Sequence, residues 1–366
     1  MAVCNAIAVA LFGFLLISVS AGFVDARVPD FSSASGSRSG SGIQSHSRRL
    51  SNLVVNNQLI VPYHRGPILS GDESTHSIAI YLVWYGTFSE SQRAPIVDFF
   101  GSFGRQEDET LPSVSSWWKT TQSYKDIHGE TVMSQVQLAG QTTDDYSKGK
   151  SLKESDLEDL VEKSLSKFPA DSKSVYFVLT AEDVQVESFC MNSCGSHYSS
   201  APTTVTKHQR LPYAWVGNAA SQCSGRCAWP YAKPMYGPRN FMPLVAPNGD
   251  VGVDGMVINI ATLLAGIATN PHSNAYFQGD ALAPLEAATA CAGQYGAGAF
   301  PGYPGMLLKD ESTGASYNAV GSNGRKYLLP ALWDPTTLAC KNTFVPQEGY
   351  VLDSRVVESE VADTRQ

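Results

Sequence analysis

The stretch DGMVINIATLLAGIATNP, Asp254 to Pro271, carries no charge after its first residue and presents small or apolar side chains on every side. Such a segment either spans a membrane or is surrounded by protein. A span needs about twenty apolar residues, whereas this run is shorter and holds Asn259 and two glycines, Gly255 and Gly266. A helix that is hydrophobic all round lies inside a large domain, so the rest of the chain has to cover it on several sides. Asp254 is placed to cap this helix, Gly255 to open it and Thr269-Asn270-Pro271 to end it, which predicts a buried central helix over 254–270.

The covering layers are legible upstream. HSIAIYLVWYG (76–86) and SVYFVLTAEDV (174–184) are runs of β-branched and aromatic residues without polar alternation, as strands covered on both faces are. VMSQVQLAG (132–140) alternates with period two and reads as a half-buried strand. Between them SESQRAPIVDFFGSF offers Ser89 or Ser91 as a helix cap, and a second helix is expected over 113–124. SLKESDLEDLVEKSLSKF lines Leu157, Leu160, Val161 and Leu165 on one helical face. Alternating strands and helices predict an α/β fold: a single large domain with a mixed sheet and the apolar helix at its centre. The chain's 366 residues, 43% hydrophobic, suffice for that core.

The first residues, MAVCNAIAVALFGFLLISVSAGFVDA, read as a secretory signal peptide over 1–26. A Ser/Gly-rich tract, 27–58, cannot bury enough surface to order itself, and its Arg48-Arg49 is best read as part of a solvated linker. The ordered domain is expected over 59–345 and an acidic disordered tail over 346–366. Removing the leader takes Cys4 and leaves Cys190, Cys194, Cys223, Cys227, Cys291 and Cys340, an even set that outside the cell reads as disulfides of open connectivity. Four of them fall in 189–230, which is expected as a loop-rich, cross-linked insertion around the strand LPYAWVGN. The formal charge of −8 offers no basic stripe for a phosphate backbone, so nucleic acid is not an expected partner.

Candidate chemistry is sparse. His197 and His208 lie in the cysteine-rich stretch and His272 follows the apolar helix; none is assigned a role. NGDVGVDG (248–255) resembles a calcium loop but misplaces its Gly and distal Glu, so a turn and helix cap explain it better. A polysaccharide hydrolase would need two convergent carboxylates, with Asp250, Asp254, Glu286 and Asp334 as candidates. Trp215, Trp229, Tyr231, Tyr236, Tyr295, Phe300 and Tyr303 could offer aromatic faces to sugar rings.

YLVWYGTFSESQRAPIVDFF, CSGRCAWPYAKPMYGPRNFMPLVAPNGDVGVDGMVINIATLLAGIATNP, EAATACAGQYGAGAFPGYPG and YLLPALWDPTTLAC resemble the plant EXORDIUM, or phosphate-induced protein, family over about 59–344. The resemblance implies a secreted apoplastic protein linked to brassinosteroid-promoted growth and cell expansion. No cofactor is expected, and the expected partner is a cell-wall polysaccharide or an extracellular receptor. A weaker resemblance links the central helix to that of zinc peptidases. It puts Thr262 and Gly266 at metal-ligand positions and Leu263 at the catalytic acid, with Glu286, Thr289 and Cys291 in a downstream motif. Thr, Leu and Gly cannot do that work, so a metalloprotease-like scaffold without metal ligands is expected. Binding without catalysis is the leading expectation; a carbohydrate-active hydrolase using paired acids is the alternative.

Overall fold

The computed structural model describes residues 59–70, 77–104, 112–235, 241–280, 283–343 and 351–353, all within the unit 57–366. The expected leader, the Ser/Gly-rich tract with Arg48-Arg49, and Tyr236 lie outside the described residues. Strand β1 (Ser77–Tyr85) is buried along nearly its whole length, as its unbroken apolar run requires. Helix α1 (Glu90–Phe100) follows, and Ser89 is its cap: the Ser89 hydroxyl accepts from the Gln92 backbone N–H, and the Gln92 side chain accepts from the Ser89 N–H. Helix α2 (Val114–Trp118) is shorter than expected. It tightens into a 3-10 turn over Lys119–Ser123, where the hydroxyls of Thr121 and Ser123 bond back to the Trp118 and Thr120 carbonyls.

Next come β2 (Gln135–Asp144), α3 (Glu154–Ser164), β3 (Val175–Thr180), β4 (Gly195–Ser199), β5 (Pro212–Gly217) and the long α4 (Val251–Thr269). They build a five-stranded sheet in the order β2-β1-β3-β5-β4. Four strands run parallel and β4 runs antiparallel to β5 at the edge, so the sheet is mixed. Because β1, β3 and β5 lie between layers they lack polar alternation, while the edge strand β2 keeps it. Side-chain alternation sorts the layers. Phe177 of β3 meets Phe100 of α1 on one face, and Tyr176 stacks with Tyr81, beside Phe168 after α3, on the other.

Helix α4 packs on β4 and β5 and against α1. It is buried through most of its length, as a helix apolar all round must be. Its start differs from the expectation at Asp254. The helix begins one turn earlier, at Val251, and Asp250 is the cap, its carboxylate accepting from the Val253 N–H at 3.0 Å. Asp254 lies inside the first turn with its carboxylate turned back to Asn248 (2.9 Å to N, 2.6 Å to Nδ2), so the loop before the helix takes both oxygens. The NGDVGVDG stretch is thus a turn and a cap. Gly255 is fixed by close approach: a Cβ there would stand 2.6 Å from that of Ala228.

Two further expectations are corrected. The cysteine-rich stretch 189–230 is no insertion, since it supplies β4 and β5, two strands of the main sheet. Within the expected acidic tail, Val351–Asp353 pairs with 307–309: Lys309 N–H donates to the Val351 carbonyl, Asp353 N–H to that of Leu307, and the buried Asp353 carboxylate accepts from the Ser316 hydroxyl. Three disulfides form, Cys190–Cys223, Cys194–Cys227 and Cys291–Cys340, with Cα separations of 5.7, 5.3 and 5.7 Å.

Candidate functional site

Two clusters of buried polar groups stand at the two ends of α4. At its C-terminal end the antiparallel edge strand aims His197 and Ser199 toward the helix and Tyr198 to the opposite face, where it packs on Tyr213. His197 Nε2 donates to Glu286 Oε2 at 2.8 Å, and Asn270 Nδ2 donates to Glu286 Oε1 at 2.7 Å. Asn270 in turn accepts the Ala275 N–H through its own carbonyl (2.7 Å), which holds the chain where α4 ends. The side chains of His197 and Glu286 are 8% and 5% exposed. Burial opposes a charge on the imidazole, but the Glu286 carboxylate and its hydrogen bond outweigh that, and the His197 pKa lies above its ordinary value.

Gly266 makes room for this pair. A Cβ at 266 would lie 2.7 Å from Glu286 Oε2 and 3.4 Å from His197 Nε2. Gly266 and Glu286, both named from the peptidase-like spacing, therefore do meet. Of the other residues of that set, Thr262 and Leu263 do not join them, and Thr289 meets only the Glu286 backbone. Thr262 bonds its hydroxyl back to the Ile258 carbonyl (2.8 Å), Leu263 packs toward Gly195, and Thr289 accepts the Glu286 N–H (2.7 Å) as a local turn brace. Among the described residues no group of three or more His, Cys, Asp or Glu gathers as metal ligands would. Beside the pair, Ser199 Oγ and His272 Nδ1 are 2.8 Å apart, and the His272 pKa is lowered by burial and by the charge of Arg210.

At the N-terminal end, Asp254 is buried and its carboxyl is pushed up to about 7 by desolvation, against the two Asn248 donors and with the charge of Asp250 adding to the rise. The Asn248 carbonyl oxygen accepts from Arg325 (3.3 Å), which pairs with Asp98 at 2.7 Å. Asp254 and Glu286 are not spaced as a hydrolase pair. Asp254 and Gly266, beside which Glu286 sits, are separated by twelve residues, about 18 Å of helix, whereas glycosidase carboxylates stand about 5–9.5 Å apart. Asp250 is occupied as a cap, and Asp334 accepts from Thr336 N–H (2.9 Å) and Oγ1 (2.6 Å) in a local turn.

The aromatic set divides as well. Trp215 is 1% exposed, with its indole N–H bonded to Thr180, so it belongs to the core. Tyr231, Tyr295 and Tyr303 are also buried and form a second apolar cluster with Leu244, Ile258, Leu307 and Leu328. On the rim of that cluster Trp229 stays half-buried against Phe241 (6.3 Å) and Tyr295 (5.8 Å), and Phe300, 44% exposed, lies over Tyr303 at 4.9 Å. His197 and Asn270 were not assigned by sequence reasoning. The only local signal was the period of GSHYS, which places His197 on an inward face once the strand is known.

Fold and site together define a disulfide-braced α/β domain built around one apolar helix, with a buried His–Glu–Asn cluster at one end of it and an aromatic rim. Residues 61–343 match the family described as phosphate-induced protein 1 conserved region. Protein PHOSPHATE-INDUCED 1 of Nicotiana tabacum is 50% identical over 299 residues, 80% of this chain and 92% of its own length. EXORDIUM-like 2 of Arabidopsis thaliana is 48% identical over 79% of this chain and 91% of its own length, and EXORDIUM of the same plant 47% over 80% and 92%. The chain belongs to this phosphate-induced, or EXORDIUM, family. No solved structure matches it.

Proposed function

We propose that this is a secreted plant protein of the apoplast that serves brassinosteroid-dependent growth and cell expansion by binding a cell-wall polysaccharide, and that the aromatic rim is the binding surface. The observation that carries this reading is the rim itself. Trp229, Phe241 and Phe300 keep ring surface toward solvent on a rigid buried cluster, the arrangement that gives flat apolar faces to sugar rings at little entropic cost. Recognition is favoured over hydrolysis because each candidate acid is engaged locally and Glu286 is enclosed by His197 and Asn270. Binding of wall polysaccharide fractions to the purified protein tests the proposal. Trp229→Ala with Phe300→Ala should weaken retention about tenfold or more, in line with the loss of two aromatic contacts of about 0.5–1.5 kcal/mol each. Equal retention by the variant overturns it, and so does polysaccharide turnover that Glu286→Gln or Asp334→Asn abolishes.

The same reading treats the domain as a metalloprotease-like scaffold in which packing has replaced the metal site. Its support is Gly266 of α4, whose missing side chain is the space that Glu286 and His197 fill. Metal analysis of the protein purified without chelator checks this, and stoichiometric zinc would reject it.

A further inference from the structure

Two of the disulfides lie side by side. Cys223 Sγ, bonded to Cys190, stands 3.6 Å from Cys227 Sγ, bonded to Cys194. Closing that gap to a bond of about 2.05 Å takes a shift of roughly 1.5 Å. The paired C-x3-C spacing is the reason: Cys223 and Cys227 bracket one helical turn, and Cys190 and Cys194 bracket one tight loop in which the Cys190 N–H bonds the Ser193 carbonyl. Cys190 and Cys223 are partly exposed, and Met191 beside them is 70% exposed, so the outer bridge is open to a small reagent. Arg226 donates to the Cys190 carbonyl at 3.3 Å, which brings positive charge to that bridge and favours the thiolate form of a sulfur released there.

The geometry points to a thiol-exchange site: a small monothiol of the glutathione class attacks the Cys190–Cys223 bridge and converts the two crossing disulfides into the local pairs Cys190–Cys194 and Cys223–Cys227. The incoming thiolate bonds to Cys190 Sγ, and the electron pair of the broken bond leaves on Cys223. The Cys223 thiolate attacks Cys227 Sγ, forms Cys223–Cys227 and expels Cys194 as a thiolate. Cys194 attacks Cys190 in the mixed disulfide, forms Cys190–Cys194 and returns the monothiol. Every S–S bond broken is matched by one formed, so the rearrangement consumes neither oxidant nor reductant, and each step is ordinary exchange through a mixed disulfide. Its consequence is mechanical. Both native bridges tie the loop leading into β4 to the turn on which α4 rests, where Asn259 bonds the Cys227 carbonyl at 2.9 Å. After exchange the strand that carries His197 has no covalent link to that turn.

The full-length protein reports the exchange directly. Trypsin leaves Cys190 and Cys194 together on 174–207, Cys223 on 211–226 and Cys227 on 227–239. The protein is incubated with reduced glutathione, trapped with N-ethylmaleimide at mildly acidic pH, digested without reduction and weighed by mass spectrometry. Before treatment 174–207 is joined to both other peptides. After it, free 174–207 with an internal bridge and a 211–226/227–239 pair are expected, with faster amide exchange at 195–199. In Cys190→Ser/Cys223→Ser the attacking sulfur is gone, and Cys194–Cys227 should survive the same treatment. The inference is overturned if 174–207 stays joined to both partners at all thiol concentrations. It also falls if Cys190 and Cys223 are alkylated while Cys194–Cys227 persists, or if all four cysteines open together.

Discussion

Replacing Gly266 by alanine tests the account of the His197–Glu286 pair most directly, because two effects of opposite sign meet at one methyl group. In a solvated helix interior Gly→Ala stabilises by about 1 kcal/mol. Here the new methyl would stand 2.7 Å from Glu286 Oε2, well inside carbon–oxygen contact. Glu286 cannot retreat freely, since Asn270 holds one oxygen at 2.7 Å and His197 the other at 2.8 Å. If the site absorbs the methyl by overpacking alone, the cost is about 1–3 kcal/mol. Should the carboxylate swing away and leave a buried charge unpaired, the cost is about 3–5 kcal/mol. After the propensity gain the net expectation is a loss of up to about 4 kcal/mol. For a domain of this size each kcal/mol corresponds to about 2–4 °C, so Tm should fall by several degrees. Urea and thermal unfolding at pH 6 read the effect, and adding Glu286→Asp, which withdraws the carboxylate by one methylene, should recover part of the loss. A Gly266→Ala protein more stable than the parent would refute the reasoning.

Asp254 gives a pH dependence of definite sign. Its raised pKa means that the folded chain holds a proton which the unfolded chain gives up near 3.8. Its contribution to stability therefore falls as pH rises from about 4 to about 7, by about 1.4 kcal/mol per unit and on the order of 4 kcal/mol in all. Denaturant titrations across that window should show a slope in the parent that Asp254→Asn removes; an identical slope in the variant counts against the assignment. Asp250→Ala deletes the α4 cap and should cost about 1 kcal/mol in a urea unfolding series, whereas no change would deny the cap its role. Removing the Cys291–Cys340 bridge by paired alanines opens a 49-residue separation and should lower stability by about 4 kcal/mol by loop closure, and a loss below about 1 kcal/mol in calorimetry would contradict it.

What the sequence disclosed and what it hid follow from the range of the forces involved. The run 76–86, the face of Leu157, Leu160 and Val161, and the uncharged 254–270 segment are local patterns set by burial, and each became a β-strand, an amphipathic helix or the central helix. The cap was misread by one turn because Asp250 and Asp254 both stand before apolar residues, and only Asn248, folding back over the first turn, takes the second carboxylate away from capping. The pairing of the first four cysteines stayed open because it depends on β4 lying antiparallel beside β5, a contact with no signature in either segment. His197 and Glu286 are 89 residues apart, and nothing local marks them as partners.

The positions of the polar groups answer the question the apolar helix poses. A helix with no charged side chain past its first turn cannot satisfy buried ionisable groups along its flank, so those groups collect where its backbone begins and ends. Asp254 and Asn248 gather at the start, and Glu286, His197 and Asn270 at the finish. Each cluster ties α4 to a different part of the chain: the first to Arg325 and Asp98, the second to β4 and the segment after the helix. The stacked disulfides add a covalent tie on the loop leading into the strand that carries His197. Loosening β4 therefore exposes one member of a buried ion pair, a change that costs more than the loss of a surface contact. That coupling makes the order of events testable: amide exchange at 195–199 should rise in Glu286→Gln even with all three disulfides intact. Protection unchanged from the parent would mean that the disulfides, and not the ion pair, hold the edge of the sheet.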